Sequence, residues 1–231
     1  MRGCVLKTCG QCVKILRMRD IKAVVFDMDG ILLDTETICD RTWSMAARTM
    51  GIQSDVDFVN ECRGTNFQDT RVILRRCLGD DFDVERFMSL AAQYFREIEF
   101  GEGIPLMPYA KEILEYLKPK YRLALASSTR GESVRRQLTN AGLISYFETL
   151  TTGDMVSHSK PDPEIYHLAC RSIRMREQDC VAVEDSPNGI KSASLAGLQV
   201  IMVPDKIQPT EKTKALCSHI LSSLQGLESI L

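Results

Sequence analysis

No apolar run in this chain approaches the roughly 20 residues that a helix needs to cross a bilayer. The sequence therefore offers no membrane partner and reads as a soluble, cytoplasmic protein. An excess of basic charge is also missing. Lys plus Arg number 29 against 31 Asp plus Glu, a formal net charge of -2, and basic and aromatic residues are nowhere interleaved, which argues against nucleic acid as a partner. Histidine is scarce, and His158, His167 and His219 stand in neither metal-ligand nor triad-like spacing. No G-x-S-x-G, Walker A or G-x-G-x-x-G sequence occurs, so neither a serine hydrolase nor a nucleotide cofactor is indicated. Aromatic residues make up 6% of a chain that is 44% hydrophobic, so its core must be mostly aliphatic.

A paired cysteine framework is lacking too. The nine cysteines are odd in number and scattered, several inside apolar runs where a thiol acts as a small hydrophobe, as suits a reducing cytosol. Cys4, Cys9 and Cys12 have the C-x4-C-x2-C spacing of an iron–sulfur site, but no second C-x-x-C accompanies them and they precede the first strand. Residues 1–20 are basic without the apolar core of a signal peptide and read as an N-terminal extension, with Met18 an alternative start.

What is present is organised around residues 21–35, IKAVVFDMDGILLDT. Residues 21–26 have the composition of a strand buried on both faces, and Asp27 and Asp29 follow it directly. From residue 34 to 50 the spacing of Ile38, Trp43, Ala46, Ala47 and Met50 predicts an amphipathic helix, and further helices are predicted over 56–62, 67–78 and 84–99. The next strand pattern, at 121–126, begins about 95 residues after the first ends, far more than a parallel crossover requires. The sequence thus predicts a helical cap over 37–103 inserted into a core made of 21–36 and 104–231, with Gly101, Gly103 and Pro105 forming the return hinge. Beyond it, helices over 109–117, 133–141, 164–174 and 187–196 alternate with strands at 121–126, 149–152, 180–183 and 199–203. That alternation predicts an α/β fold, a doubly wound, Rossmann-like parallel sheet carrying the small cap.

Four of these strands end in, or are followed closely by, polar groups of different kinds: Asp27 with Asp29, Ser127, Lys160, and Glu184 with Asp185. In a parallel sheet those ends share one edge and can converge on one crevice. The inventory suits phosphoryl transfer: Asp27 as nucleophile, Asp29 as acid and base, Ser127 and Lys160 on the phosphate oxygens, and Mg²⁺ held by Asp27 and Asp185. Taken singly, Ser127 is an ordinary turn hydroxyl, Lys160 a loop lysine, and Glu184 and Asp185 are helix-capping carboxylates.

Four segments, FDMDGILLDTE (26–36), LALASST (123–129), SKPDPEIY (159–166) and VEDSPNGIKSASLAG (183–197), resemble the motifs of the haloacid dehalogenase superfamily, and the resemblance extends over 21–231. It implies a catalytic set of Asp27, Asp29, Ser127 and Lys160, and a Mg²⁺ site of Asp27, the Asp29 carbonyl and Asp185 with Glu184 beside it. The cap is similar to that of beta-phosphoglucomutases and small sugar-phosphate phosphatases. An acid at Asp29 favours phosphoryl transfer over dehalogenation; Cys39, where the mutases carry a histidine, and Phe67, reached by aligning on Gly64 where they carry an arginine, favour hydrolysis over isomerisation. The expected protein is a monomeric phosphatase for a small phosphorylated metabolite, with a mutase as the competing enzyme and a non-catalytic partner-binding member as the reading from another class. Ser128, Thr129 and Arg130 are expected to face the substrate. Arg63 and Asn66, in the cap loop 61–70, are the expected leaving-group contacts.

Overall fold

The computed structural model describes residues 20–53, 57–62 and 67–231. The three N-terminal cysteines, Arg63, Gly64 and Asn66 lie outside the described residues, so the iron–sulfur spacing and the two cap-loop contacts have no structural counterpart here.

Six parallel strands form one sheet in the order β3-β2-β1-β4-β5-β6: β1 (Ala23–Phe26), β2 (Arg122–Ser127), β3 (Thr149–Thr152), β4 (Cys180–Glu184), β5 (Gln199–Met202) and β6 (His219–Ile220). β1 is central because two crossovers run outward on one side and the chain then returns to build the other, which makes the β1–β4 boundary the place where the winding reverses. The two-residue edge strand β6 was not anticipated; it is too short to carry an alternating pattern.

Strand side chains alternate between two apolar layers. Val24, Phe26, Leu123, Leu125, Val181, Val183 and Ile201 share one buried cluster with residues of α5 (Ala110–Leu117), α6 (Gly131–Asn140) and α10 (Leu227–Ile230). Ala23, Val25, Ala124, Ala126, Ala182, Val200 and Met202 pack in the other with α7 (Glu164–Ser172) and α8 (Pro187–Leu195), while α9 (Glu211–Lys214) is a single turn beside α8.

Between β1 and β2 lie α1 (Thr35–Thr49), α2 (Phe58–Cys62), α3 (Phe67–Leu78) and α4 (Val84–Gly101), which make the helical cap. Asp34 caps α1 by accepting from the Thr37 amide at 3.2 Å, and Asp83 caps α4 by accepting from Arg86 at 2.9 Å. The cap has a core of its own, in which Phe87 is fully buried and takes the edge or tilted face of Trp43, Phe58 and Phe82 at ring-centroid distances of 5.4, 5.9 and 5.8 Å. The two segments that enter and leave the cap are tied together: the Asp34 amide donates to Pro105 O at 2.9 Å and the Met107 amide to Leu32 O at 3.0 Å.

Trp43 is the single tryptophan of the chain, so its emission reports on the cap alone. Phe87→Ala is expected to cost the cap about 3–5 kcal/mol, seen as a shift of the Trp43 fluorescence transition to lower urea. A transition coincident with that of the unmodified protein would show that these rings do not hold the cap together.

Candidate active site

The register of the sheet builds the site. Phe26 pairs with Leu125 on β2 and with Val183 on β4, so the next residues, Asp27, Ala126 and Glu184, come level at the carboxyl edge. Lys160, from the loop before α7, reaches into that level. Its ammonium donates to Asp27 Oδ1 at 2.6 Å, to Ala126 O at 2.9 Å and to Glu184 Oε1 at 2.7 Å. Asp27, Lys160, Glu184 and Asp185 are all buried. Lys160 and Asp185, expected from sequence to converge on Asp27, do so.

Glu184 is occupied on both oxygens. Tyr166 donates to Oε1 at 2.8 Å, while the amides of Asp185 and Ser186 and the Ser186 hydroxyl reach Oε2 at 3.2, 3.2 and 3.1 Å. These bonds make Glu184 the anchor of Lys160 more than a free ligand. Nor does it cap α8: Ser186 does, accepting from the Gly189 amide at 3.1 Å. Two glycines leave room for the acids. A Cβ at Gly189 would stand 1.8 Å from Glu184 Oε1, and one at Gly30, whose φ is +73°, would stand 2.6 Å from Asp185 Oδ2.

On the other side Asp29 Oδ2 accepts from the hydroxyls of Ser127 at 3.2 Å and Thr129 at 3.0 Å, and the Thr129 amide donates to Ser127 Oγ at 3.1 Å. Ser128 and Arg130 are exposed; Arg130 precedes α6, and its charge acts on Asp154. His158 is exposed and its Nδ1 lies 3.2 Å from Glu164 Oε2, away from the buried acids.

Ligand oxygens of Asp27, Glu184 and Asp185 all lie within 4.8 Å of one another. If all three buried carboxylates were ionised, the one ammonium that faces them among the described residues, Lys160, would leave two negative charges uncompensated. Burial pushes the Asp27 carboxyl up to about 8, with Lys160 pulling it down and Glu184 pushing it further up. Burial also raises Asp185 well above the usual carboxylate range, reinforced by Glu184 and Asp27. Burial disfavours the Lys160 ammonium, yet Asp27 and Glu184 outweigh it and hold its pKa well above the usual value. An all-oxygen, anion-rich cluster of this kind fits a hard divalent cation, whose two charges would cancel the deficit.

A cleft of about 500 Å³ opens beside Asp29. Its walls come from α1 (Glu36, Cys39), α4 (Phe95, Arg96, Glu99) and α6 (Ser133, Arg136). Cys39, which stands where the mutases carry a histidine, lines this cleft; Tyr166, Arg96, Glu99 and Arg136 were not among the expected site residues. Tyr166 lay in the quoted SKPDPEIY segment, and Glu99 is a charge on the apolar face of α4 beside Ile98, which was a readable signal; nothing in the pattern singles out one exposed arginine.

Against known proteins, the model of the family described as "Haloacid dehalogenase-like hydrolase" matches residues 24–203. The chain is 32% identical over 182 residues, 78% of its length and 84% of the relative's, to "Phosphorylated carbohydrates phosphatase" of Thermotoga maritima. It is 28% identical over 218 residues, covering 90% of itself and 95% of the other, to "Hexitol phosphatase B" of Escherichia coli O157:H7. The structure of CbbY from Rhodobacter sphaeroides in complex with phosphate superposes with a TM-score of 0.70 at 26% identity, over 90% of this chain and 96% of that one. The chain belongs to the haloacid dehalogenase-like hydrolase family.

Proposed function

We propose that the chain is a Mg²⁺-dependent phosphatase that hydrolyses a small phosphorylated metabolite, a sugar phosphate foremost, through an aspartyl phosphate on Asp27. The observation that carries this is the Lys160 ammonium bonded at once to Asp27, Ala126 O and Glu184, beside an Asp29 held by two hydroxyls. The phosphatases among the relatives and the phosphate bound by CbbY support it.

Asp27, Asp185 and the Asp29 carbonyl would hold the cation, with Glu184 beside them. Mg²⁺, when bound, supplies charge neutralisation and polarises a phosphoryl oxygen. Oδ1 of Asp27 is taken by Lys160; Oδ2 accepts no hydrogen bond among the described residues and is the oxygen that attacks phosphorus. As that O–P bond forms and the ester P–O bond breaks, Asp29 gives its proton to the departing alkoxide. It then takes one from the water that attacks the aspartyl phosphate, which releases inorganic phosphate and restores Asp27. Ser127, whose hydroxyl rests on Asp29, can turn it to a phosphate oxygen while Lys160 neutralises another. Thr129 lines the substrate cleft, whereas Ser128 and Arg130 are exposed and are not among the residues that line it. The cap, taken as residues 37–103, closes the site from above, and a cytosolic setting accords with the free thiols of Cys39, Cys62, Cys77, Cys170, Cys180 and Cys217. Cys39 offers no imidazole to the cleft, which favours water over a second sugar hydroxyl as the acceptor.

Asp27→Asn is expected to lower phosphate release from sugar phosphates by at least about 10³-fold, and Asp29→Asn by about 10²–10⁴-fold. Chelation with EDTA should stop turnover and added Mg²⁺ should restore it; turnover that persists in Asp27→Asn removes the nucleophile assignment.

Gly189→Ala drives a methyl group into the Glu184 carboxylate. With far-UV ellipticity retained, kcat/KM should fall about 10- to 100-fold as the anchor of Lys160 shifts. An unchanged kcat/KM would reject Glu184 as that anchor.

A further inference from the structure

The guanidinium of Arg136 is fixed more firmly than a surface arginine needs. Nε and Nη2 donate to the two oxygens of Glu99 at 2.8 and 3.1 Å, Nη2 also lies 3.4 Å from Ser133 Oγ, and the Phe100 ring stands 5.4 Å from the guanidinium carbon. Glu99 is itself buried, its side chain 2% exposed. It belongs to cap helix α4, whereas Arg136 belongs to core helix α6, and both line the cleft whose other end is Asp29. Nη1 is left over. Its nearest acid is Glu132 at 3.9 Å, and that side chain is 94% exposed. Arg96, one turn before Phe100 on α4, lines the same cleft and makes no ion pair among the described residues. Glu99 cancels one of the two cations; Glu132 is solvent-exposed and Glu36, on α1, acts on Asp185, so the positive charge that remains lies on the Arg96–Arg136 wall, with N–H donors already oriented.

We propose that Arg136, positioned by Glu99 and assisted by Arg96, recognises a second acidic group on the substrate, so that the preferred substrates are small phosphorylated metabolites bearing a further carboxylate or phosphate. The proposal rests on the phosphatase reading and narrows it. The reacting phosphate sits at Asp27 and Asp29, and the second anion meets a guanidinium whose conformational freedom was already spent on folding, which is the condition for a strong charge-assisted bond. A bridge that merely held the cap to the core would treat all substrates alike.

The test is kcat/KM for glucose 6-phosphate, 6-phosphogluconate and fructose 1,6-bisphosphate, in the unmodified protein and in Arg136→Met, Arg136→Lys and Arg96→Met. The diacids should be preferred about 10- to 100-fold. Arg136→Met should erase most of that preference, Arg136→Lys should leave part of it because the charge remains without the fork, and Arg96→Met should reduce it. The carboxylate and bisphosphate arms tell which anion fits. Equal efficiency on all three compounds, or parallel losses on all three in Arg136→Met, overturns the proposal. Should Arg136→Met not fold, Arg96→Met decides, since that residue is exposed. If nothing is hydrolysed, calorimetric binding of the same compounds to Asp27→Asn decides. A diacid preference lost on adding Arg136→Met keeps this inference and removes the phosphatase reading, and no preference removes this inference.

Discussion

The Lys160 ammonium is the point on which the carboxyl edge of the sheet depends. It gathers an acid after β1, a carbonyl of β2 and an acid of β4 within 2.6–2.9 Å, so three neighbouring strands are locked at the level where the fold reverses. Buried ion pairs seldom stabilise, because desolvation offsets the attraction, and losing one partner strands the other charge. This one is further burdened by an excess of carboxylates. Such a cluster is explained by the divalent cation that Asp27, Glu184 and Asp185 could hold more readily than by the stability of the fold.

The rest of the site follows from keeping that ammonium and its acids in place. Ordinary pleating brings Asp27, Ala126 and Glu184 level once Phe26 is paired on both sides. The helices behind the sheet then hold the acids from the rear: Tyr166 from α7 and Ser186 at the start of α8 bond Glu184, and Gly189 yields the space the carboxylate fills. Small side chains on this face of the sheet, Ala124, Ala126 and Ala182, let α7 come near enough for the tyrosine hydroxyl to arrive.

Much of this was legible in the sequence because it follows from period and order. Apolar runs ending in Asp27, Ser127 and Glu184 gave the strands, and the parallel arrangement brought their ends together. The gap between the first two strands gave the inserted helices, two of which the structure shows capped by Asp34 and Asp83. What escaped was set by tertiary contact. The choice of Arg136 over its neighbour Arg135 as the residue facing the cleft depends on where α6 lies against α4, and a linear pattern carries no such information. β6 forms because an edge was available to it, with its two residues offering no pattern of their own.

Cap and sheet each carry apolar clusters of their own. Among the described residues the cap cluster around Phe87 shares no buried residue with either layer of the sheet, and the side-chain contacts that cross to the core include Glu99 and Phe100 to Arg136 and Thr37 to Lys206, the last at 2.9 Å and exposed. Parting cap from sheet would leave the apolar clusters of both closed, which needs less free energy than opening either. Asp27 is only 7% exposed, and a substrate reaching it must part something. The cap–core boundary carries the Glu99–Arg136 bridge beside the cleft, and the segments at Leu32–Asp34 and Pro105–Met107 that enter and leave the cap are bonded to one another. Under the proposed recognition, cap and core meet the substrate at one pair of residues, because the same cap helix supplies a wall of the cleft and the acid that orients the arginine.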